Sequence, residues 1–170
     1  MKVVRGTNNG GVQLSPHFWL SEFIESNTAT RLGINNSPDP LAQSNLFKVA
    51  ALMEEVRKLL GGKPIIVSSG YRSEALNRAV KGSRVSDHLR GEACDFTCPG
   101  YGTPLQIAAA IARSGIKFGQ LIEEGSWVHI SIPNRGVDNG QVLTARLFIA
   151  VIHHAFVFLP MMCSSWLLNL

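Results

Sequence analysis

The sequence is poor in cysteine and lacks an apolar leader, and each absence limits the class of protein. It has three cysteines, an odd number without the regular spacing of a disulfide framework. This disfavours a small secreted domain held together by disulfides. The basic start of the chain, residues 1–6, is not followed by an apolar segment, so no secretory signal peptide is recognisable. We therefore expect the protein to be made in the cytoplasm and to need another route for any action outside it.

The sequence also has no run of one charge sign. It contains 16 lysines and arginines against 12 aspartates and glutamates, which gives a formal net charge of +4. The basic residues are scattered, so a nucleic-acid-binding surface is not expected. The mild positive field suits a polyanionic partner, and it also suits plain solubility. With 170 residues, 45% of them hydrophobic, the chain can bury one core and is expected to form a single domain.

Composition divides the chain into three parts. Residues 1–13 are rich in glycine and asparagine and are predicted to be a flexible N-terminal arm, followed by a domain over 14–146. Residues 147–170 contain no Lys, Arg, Asp or Glu and are long enough to span a membrane, although Pro160 argues against this. Three interpretations of this tail remain open: a membrane-associated segment, a helix packed on the domain, or an extension without function. Membrane contact is therefore expected only through the tail.

The domain alternates between helical and strand patterns, which predicts an α+β fold. The longest helix is predicted over 41–60, where apolar residues recur at helical spacing and Gly61-Gly62 follows as a C-terminal cap. Thr103, Pro104 and Gln106 form the start signal of another helix, which runs to Gly115. Further helices are predicted at 21–25, capped by Ser21, and at 73–80, capped by Ser73; strands are predicted at 65–69, 93–97, 120–124 and 127–132.

His88, Asp95 and His129 are the candidate metal ligands. Two imidazoles and one carboxylate, with a fourth position left open, form the ligand set of a hydrolytic zinc site. The spacing from His88 to Asp95 and the presence of Gly91 exclude adjacent turns of one helix. A histidine on a loop and an aspartate on a strand can nevertheless approach one point. The alternative is a surface histidine and an aspartate that accepts hydrogen bonds from nearby backbone.

The predicted hairpin brings an acidic residue to the same face as His129. If Gly125 and Ser126 form a two-residue loop, Glu124 pairs with Trp127, and Ile122 pairs with His129. Because strand side chains alternate, Glu124 then shares the face of His129, whereas Glu123 points to the other face. A carboxylate in that place could act as the general base for a zinc-bound water. A shift of one residue would exchange the two glutamates, and a solvated acid at the hairpin end is the alternative.

Arg72 lies where the predicted strand 65–69 gives way to the next helix. Its planar guanidinium could hold a substrate carboxylate through two parallel hydrogen bonds, and the alternative is an ion pair with Glu74 or another surface acid. Cys94 is expected to face the core, opposite to Asp95, so ligation by cysteine is not expected. Three other histidines have no acidic or cysteine neighbour at ligand spacing and are interpreted as structural: His17, His153 and His154.

Taken together, these motifs resemble those of the zinc D-alanyl-D-alanine carboxypeptidases. That family also includes vancomycin-resistance dipeptidases and phage L-alanyl-D-glutamate endolysins. The run from Ser86 to Asp95 has the form SxHxxGxAxD, and the similarity extends over residues 14–146, through the segments 61–73 and 127–129. The resemblance implies a compact α+β domain of the DD-peptidase, hedgehog-like type. In such a domain a small antiparallel sheet carries the zinc site and is packed by helices.

The resemblance also implies roles for particular residues. His88, Asp95 and His129 would bind one Zn²⁺ ion. Arg72 would bind the carboxylate or carbonyl of the substrate, and Ser86 would be a polar support for the site. The implied activity is zinc-assisted hydrolysis of peptide bonds in the stem peptides of bacterial peptidoglycan. We therefore expect a monomeric zinc metallopeptidase that acts on the cell wall and is released by phage lysis.

The position of the catalytic acid differs from that in many relatives. They carry it three residues before the last histidine, where this chain has Ser126. A subgroup carries it slightly further upstream, at a position matching Glu124, which is the predicted base here. Ser126 also supports an alternative function, a non-catalytic peptidoglycan-binding module that keeps the zinc pocket. The bond that is cut is left open among D-Ala–D-Ala, L-Ala–D-Glu and a cross-bridge.

Overall fold

The computed structural model describes residues 11–133 and 140–144. Over these residues the chain forms an α+β domain with a five-stranded sheet of order β3-β4-β6-β5-β7 and a separate two-stranded hairpin, β1-β2. The elements are β1 (Gln13–Ser15), β2 (Phe18–Trp19), α1 (Leu20–Ile24), α2 (Asn27–Leu32), α3 (Pro40–Leu59), β3 (Ile66–Ser69), α4 (Glu74–Ala79), a 3₁₀ turn (Asp87–Arg90), β4 (Ala93–Thr97), α5 (Pro104–Ala112), β5 (Gln120–Glu123), β6 (Val128–Ser131) and β7 (Gln141–Thr144).

The longest helix, α3, forms the centre of the core. It begins at Pro40, after Asp39, whose side chain accepts a hydrogen bond from the backbone N–H of Ala42 (2.7 Å). It ends before Gly61 and Gly62, which both adopt left-handed backbone angles. The predicted helix 41–60 is thus confirmed to within one residue at each end. The apolar stripe of α3 is fully buried: Leu46, Val49, Ala50, Met53 and Val56.

The large sheet has one apolar face and one polar face because its side chains alternate along each strand. Cys94 and Phe96 of β4 and Val128 and Ile130 of β6 are fully buried in the core with α3 and α5. The intervening residues of β4 and β6 project from the opposite face. Each adjacent pair along β3, β4, β6 and β5 is antiparallel, which confirms the predicted small antiparallel sheet packed by helices.

The hairpin β5–β6 has the predicted register. Ile122 is paired with His129, and the N–H of Glu124 donates to the carbonyl of Trp127 at 3.0 Å. Gly125 adopts a φ of 80°, as the first position of a tight hairpin loop requires. Because the two-residue loop determines which residues are opposite each other, the shift that would exchange Glu123 and Glu124 does not occur.

Three local features differ from the prediction. Ser21 does not cap α1, which starts one residue earlier, and Glu22 instead reaches back to accept the N–H of Trp19 (2.9 Å). Gln13, assigned to the arm, begins β1, and the hairpin β1–β2 was not predicted because each strand is too short to show alternation. β7 was also not predicted. It pairs with β5 in parallel, so its position depends on a distant part of the chain.

The apolar tail lies outside the described residues, so the three interpretations of residues 147–170 stay predictions, as do the roles of His153 and His154. The same holds for residues 1–10 of the predicted arm. Within the described ranges, no helix combines the length and apolar character that crossing a membrane requires.

Candidate metal centre

His88, Asp95 and His129 meet at one point on the polar face of the sheet. Oδ1 of Asp95 lies 3.1 Å from Nε2 of His88 and 2.8 Å from Nδ1 of His129. The two imidazole nitrogens are 3.2 Å apart. All three side chains are buried, with 2–8% of each residue exposed. The structure therefore brings together the three residues that the sequence proposed as ligands.

Two adjacent strands, a 3₁₀ turn and one glycine bring these three side chains together. Asp95 on β4 and His129 on β6 are direct partners across the antiparallel pair, so their side chains share a face. His88 arrives from the 3₁₀ turn, which ends at Gly91 with a left-handed φ of 66°. A Cβ on Gly91 would lie 2.5 Å from the carbonyl oxygen of Ala42 in α3. Glycine at this position therefore lets the chain turn between the two ligands while packed against the long helix.

The orientation of His88 depends on Gly70, a contact that sequence reasoning missed. The Nδ1 atom of His88 lies 2.5 Å from the carbonyl oxygen of Gly70, which can only accept a hydrogen bond. Nδ1 therefore carries a proton, so Nε2 is the ring nitrogen that faces the centre and is available to a metal ion, as in many metal-binding histidines. A Cβ on Gly70 would lie 2.5 Å from the carbonyl oxygen of Phe23, so the close approach requires glycine. The only sign of this contact in the sequence was that Gly70 lies in the Ser-Ser-Gly-Tyr-Arg run, which is part of the family resemblance.

Arg72 contacts the candidate ligand Asp95. Its Nη2 donates to Oδ2 of Asp95 at 2.5 Å, and its Nε donates to Oγ of Ser69 at 2.8 Å. Glu74, the acid first considered as its partner, pairs with Arg78 instead (3.3 Å). Arg72 also lines the cleft over the centre, where a substrate could reach it. Binding of substrate by its guanidinium stays a prediction. In this structure it holds one carboxylate oxygen and leaves the other facing the histidines.

The carboxyl group of Asp95 is held in its anionic form. Burial by itself would raise the pKa of Asp95, but hydrogen bonds from His129 and His88, and then their charges, outweigh it. The pKa of Asp95 is therefore well below its usual range. An ionised carboxylate is the form that binds a metal ion.

The donor set fits a divalent metal ion. Nε2 of His88 and Oδ1 of Asp95 face each other at 3.1 Å, and a metal ion that takes the place of the proton between them keeps that contact favourable. Zinc bonds of about 2.0–2.2 Å place tetrahedral ligand atoms roughly 3.3–3.6 Å apart. The three donor atoms, 2.8–3.2 Å from one another, need only a small outward movement to reach that spacing.

A cleft of about 560 Å³ lies over the three residues. Glu124 is half-buried in its wall, next to the exposed Trp127. Glu123 is buried on the opposite face of the sheet, where its Oε1 accepts the N–H of Gly125 (2.9 Å). Ser86 also lines the cleft, at the start of the turn that carries His88. The predicted base and the predicted polar support thus lie in the same cleft as the candidate ligands.

The residues interpreted as structural lie elsewhere. Cys94 is fully buried in the core, opposite to Asp95 in facing, and this burial raises the pKa of its thiol well above the usual range. It is therefore held as a neutral thiol and not as a thiolate ligand. His17 lies far along the chain from the centre and contacts Glu54 of α3 (2.9 Å).

A buried His-Asp-His set at the base of an open cleft, with a carboxylate in the cleft wall, is the arrangement of a metal-dependent hydrolase. The chain belongs to the peptidase M15 family, whose model matches residues 16–131. This span includes every candidate site residue and confirms the family resemblance recognised in the sequence. No curated protein sequence matches the chain. A peptidase family implies a peptide substrate.

Proposed function

We propose that this protein is a zinc-dependent peptidase that hydrolyses peptide bonds in the stem peptides of bacterial peptidoglycan. The observation that carries the proposal is the convergence of His88, Asp95 and His129 below an open cleft. The family match supplies the class of reaction, hydrolysis of peptide bonds. The choice of zinc and of peptidoglycan follows from the sequence resemblance and from the fit of the donor set.

In this proposal, His88, Asp95 and His129 hold the ion. When bound, zinc lowers the pKa of its water and polarises the carbonyl of the peptide bond. The carbonyl of Gly70 accepts a hydrogen bond from Nδ1 of His88, which leaves Nε2 as the nitrogen that faces the ion, and Arg72 keeps Asp95 in place through its other oxygen. These contacts prepare the donor atoms before any ion arrives, which favours binding.

Glu124 is the proposed general base. The hairpin register places it on the face of His129, one diagonal position away, and in the wall of the cleft. From there its carboxylate can take a proton from the attacking water and return it to the leaving amine. Glu123 is unsuited to that role because it faces the core side and binds the backbone of Gly125.

We further propose that the protein acts as a monomer on the cell wall and reaches it when phage-induced lysis opens the host cell. The bond that is cut is D-Ala–D-Ala, L-Ala–D-Glu or a cross-bridge. A non-catalytic peptidoglycan-binding module is the second candidate, and Ser126 at the exposed hairpin tip supports it, since many relatives carry their acid there.

Mass analysis of fragments released from purified peptidoglycan tests the proposal. The zinc-loaded full chain should release peptide fragments, a chelator should stop the release, and added zinc should restore it. The fragment masses identify the bond. The variant His88→Ala should contain no zinc and release nothing. Full zinc occupancy with binding to peptidoglycan but no fragments would favour the binding module, and a wild-type protein that takes up no zinc would contradict both.

A further inference from the structure

Lys81 has an unusual backbone conformation at the end of α4. Its φ is 57°, and within residues 11–133 and 140–144 it is the one non-glycine residue with a positive φ. The helix ends in a Schellman motif, in which the N–H of Lys81 donates to Arg78 O (3.1 Å) and that of Gly82 to Asn77 O (2.8 Å). Glycine is the usual residue at this position because a Cβ strains a left-handed backbone. Lys81 therefore occupies a backbone conformation that favours glycine over lysine.

The residues that follow Lys81 form a wall of the cleft that is attached firmly to α4. Lys81, Gly82 and Ser83 all line the cleft over the candidate metal centre. Nδ2 of the buried Asn77 donates to the carbonyl of Ser83 (2.9 Å). A Cβ on Gly82 would lie 2.1 Å from Oδ1 of Asn77, so the wall packs closely on the helix end. The backbone of Lys81 consequently has a defined position at the edge of the cleft, from which its exposed side chain extends.

Lys81 is the cationic residue of the cleft that is left without an acidic partner. Arg72 is paired with Asp95, and the lining residue Asp87 is paired with Arg90. Among the described residues, the ammonium group of Lys81 has no hydrogen-bond or ion-pair partner. An unpaired cation in a concave site attracts and orients an anionic group of the ligand.

We infer that Lys81 is a specificity-determining residue that binds a carboxylate of the peptide substrate. This inference rests on the proposed function and deepens it: the preferred substrates are peptides with a free carboxylate near the bond that is cut. In stem peptides that group is either the C-terminal carboxylate of D-alanine or the free carboxylate of D-glutamate. Both groups present the same chemistry to an ammonium group. Peptides in which one or the other carboxylate is converted to an amide distinguish them.

The test is the variant Lys81→Gly, assayed with peptides in which either carboxylate is free or converted to an amide. Losing one charge-assisted hydrogen bond should raise KM about tenfold for the peptide with the recognised carboxylate, with kcat nearly unchanged. The matching amide peptide should show no such change. Glycine suits the left-handed position, so the variant should unfold at a temperature no lower than the wild type.

Two further variants complete the design. Lys81→Arg should recover most of the lost preference, because it restores the charge. Arg84→Ala removes the same charge from an exposed position of the same loop outside the cleft lining, and both KM values should stay at the wild-type level. Equal effects of Lys81→Gly on carboxylate and amide peptides, or an equal effect of Arg84→Ala, would overturn the inference.

Calorimetry separates this inference from the proposed function. If the zinc-loaded wild type binds peptides without hydrolysing them, the proposed function fails, and binding still tests Lys81. The wild type should then bind the carboxylate peptide about tenfold more tightly than the amide peptide, and Lys81→Gly should bind both equally. Equal binding of both peptides by the wild type would contradict the role of Lys81 whatever the activity.

Discussion

At the residue scale, the neighbouring acids Glu123 and Glu124 occupy different environments. Glu124 lies half-buried in the wall of the cleft, whereas Glu123 is 4% exposed and accepts a hydrogen bond from Gly125. The alternation of side chains along β5 is the cause, because successive residues point to opposite faces of the sheet. The same chemical change at the two positions should therefore have different consequences.

Glu124→Gln should lower kcat by about 10²–10⁴-fold, because general base catalysis typically contributes that much. Zinc content and peptide affinity should stay unchanged, since the amide keeps the shape of the side chain. The measurements are steady-state kinetics, metal analysis and calorimetry. Glu123→Gln is the matched control, and its kcat should remain within a fewfold of wild type. Equal losses in the two variants would exclude Glu124 as the specific base.

Gly70 is a single residue on which both the packing of β3 against α1 and the orientation of His88 depend. In Gly70→Ala the new Cβ would meet the carbonyl of Phe23 at 2.5 Å, so β3 and α1 must separate. We expect a loss of about 1–3 kcal/mol in the free energy of unfolding, as for other overpacked sites. Displacement of the carbonyl that binds His88 should also weaken zinc affinity by about 10–100-fold.

Denaturant unfolding and zinc titration measure these two effects. Gly100→Ala is the control, because its Cβ would meet only the flexible side chain of Lys63, at an ordinary 3.6 Å. A Gly70→Ala variant with the stability and zinc affinity of Gly100→Ala would show that the close packing against Phe23 does not position the histidine.

At the element scale, Glu54 attaches the hairpin β1–β2 to α3. Its Oε1 accepts from the hydroxyl of Ser15 (2.7 Å) and from the N–H of His17 (2.8 Å), and its Oε2 contacts Nδ1 of His17 (2.9 Å). Burial acts to raise the pKa of Glu54, but these hydrogen bonds outweigh it and leave the pKa below the ordinary value of 4.5. Ionised Glu54 is therefore favoured in the folded state.

The depressed pKa determines the sign of the pH dependence. The contribution of Glu54 to stability is fully present above pH 4.5 and is lost as the pH falls through its lower folded pKa. Glu54→Gln should lower the free energy of unfolding by about 1 kcal/mol at pH 7, a modest value because the group is partly exposed and screened. The difference from wild type should shrink in acid, where wild-type Glu54 is also protonated.

Thermal unfolding of the wild type and of Glu54→Gln between pH 3 and pH 7 measures how their difference in stability changes with pH. Glu55→Gln, on the exposed side of the same helix, provides the control and should be close to neutral at every pH. A Glu54→Gln difference that stays constant down to pH 3 would show that the ion-specific part of the contact is absent.

At the scale of the whole molecule, the candidate centre joins distant parts of the chain. Asp95 and His129 are 34 residues apart, and His88 is held by the carbonyl of Gly70, 18 residues before it. An ion that binds these donors in the folded state, and binds them poorly in the unfolded chain, stabilises the fold. Metal occupancy and global stability should therefore change together.

A chelator should lower the Tm of the zinc-loaded protein, and added zinc should reverse the change. Above the Kd, each tenfold increase in free zinc should add about 1.4 kcal/mol to the free energy of unfolding. Scanning calorimetry at graded zinc concentrations measures this. His129→Gln removes one donor without opening a large cavity, and its Tm should be insensitive to zinc. An equal zinc response in that variant would place the ion elsewhere.

The sequence by itself determined what depends on local pattern. The apolar spacing over 41–60 specified α3, and the loop Gly125-Ser126 specified which residues of β5 and β6 are opposite each other. From that register and from strand alternation followed the facing of His129, Glu124 and Cys94. These features were predictable because side-chain direction within one helix or hairpin repeats with a known period.

Only the tertiary structure decided the contacts between distant segments. Examples are the carbonyl of Gly70 that orients His88, and Arg72 held on Asp95 and not on Glu74. The parallel addition of β7 to β5 belongs to the same group, as does the place of Lys81 at the cleft wall. No period in the sequence encodes such contacts, because they arise when separate elements pack on one core and exclude other arrangements. Sequence motifs indicated the candidate ligands, and the packing of distant elements brought their donor atoms together.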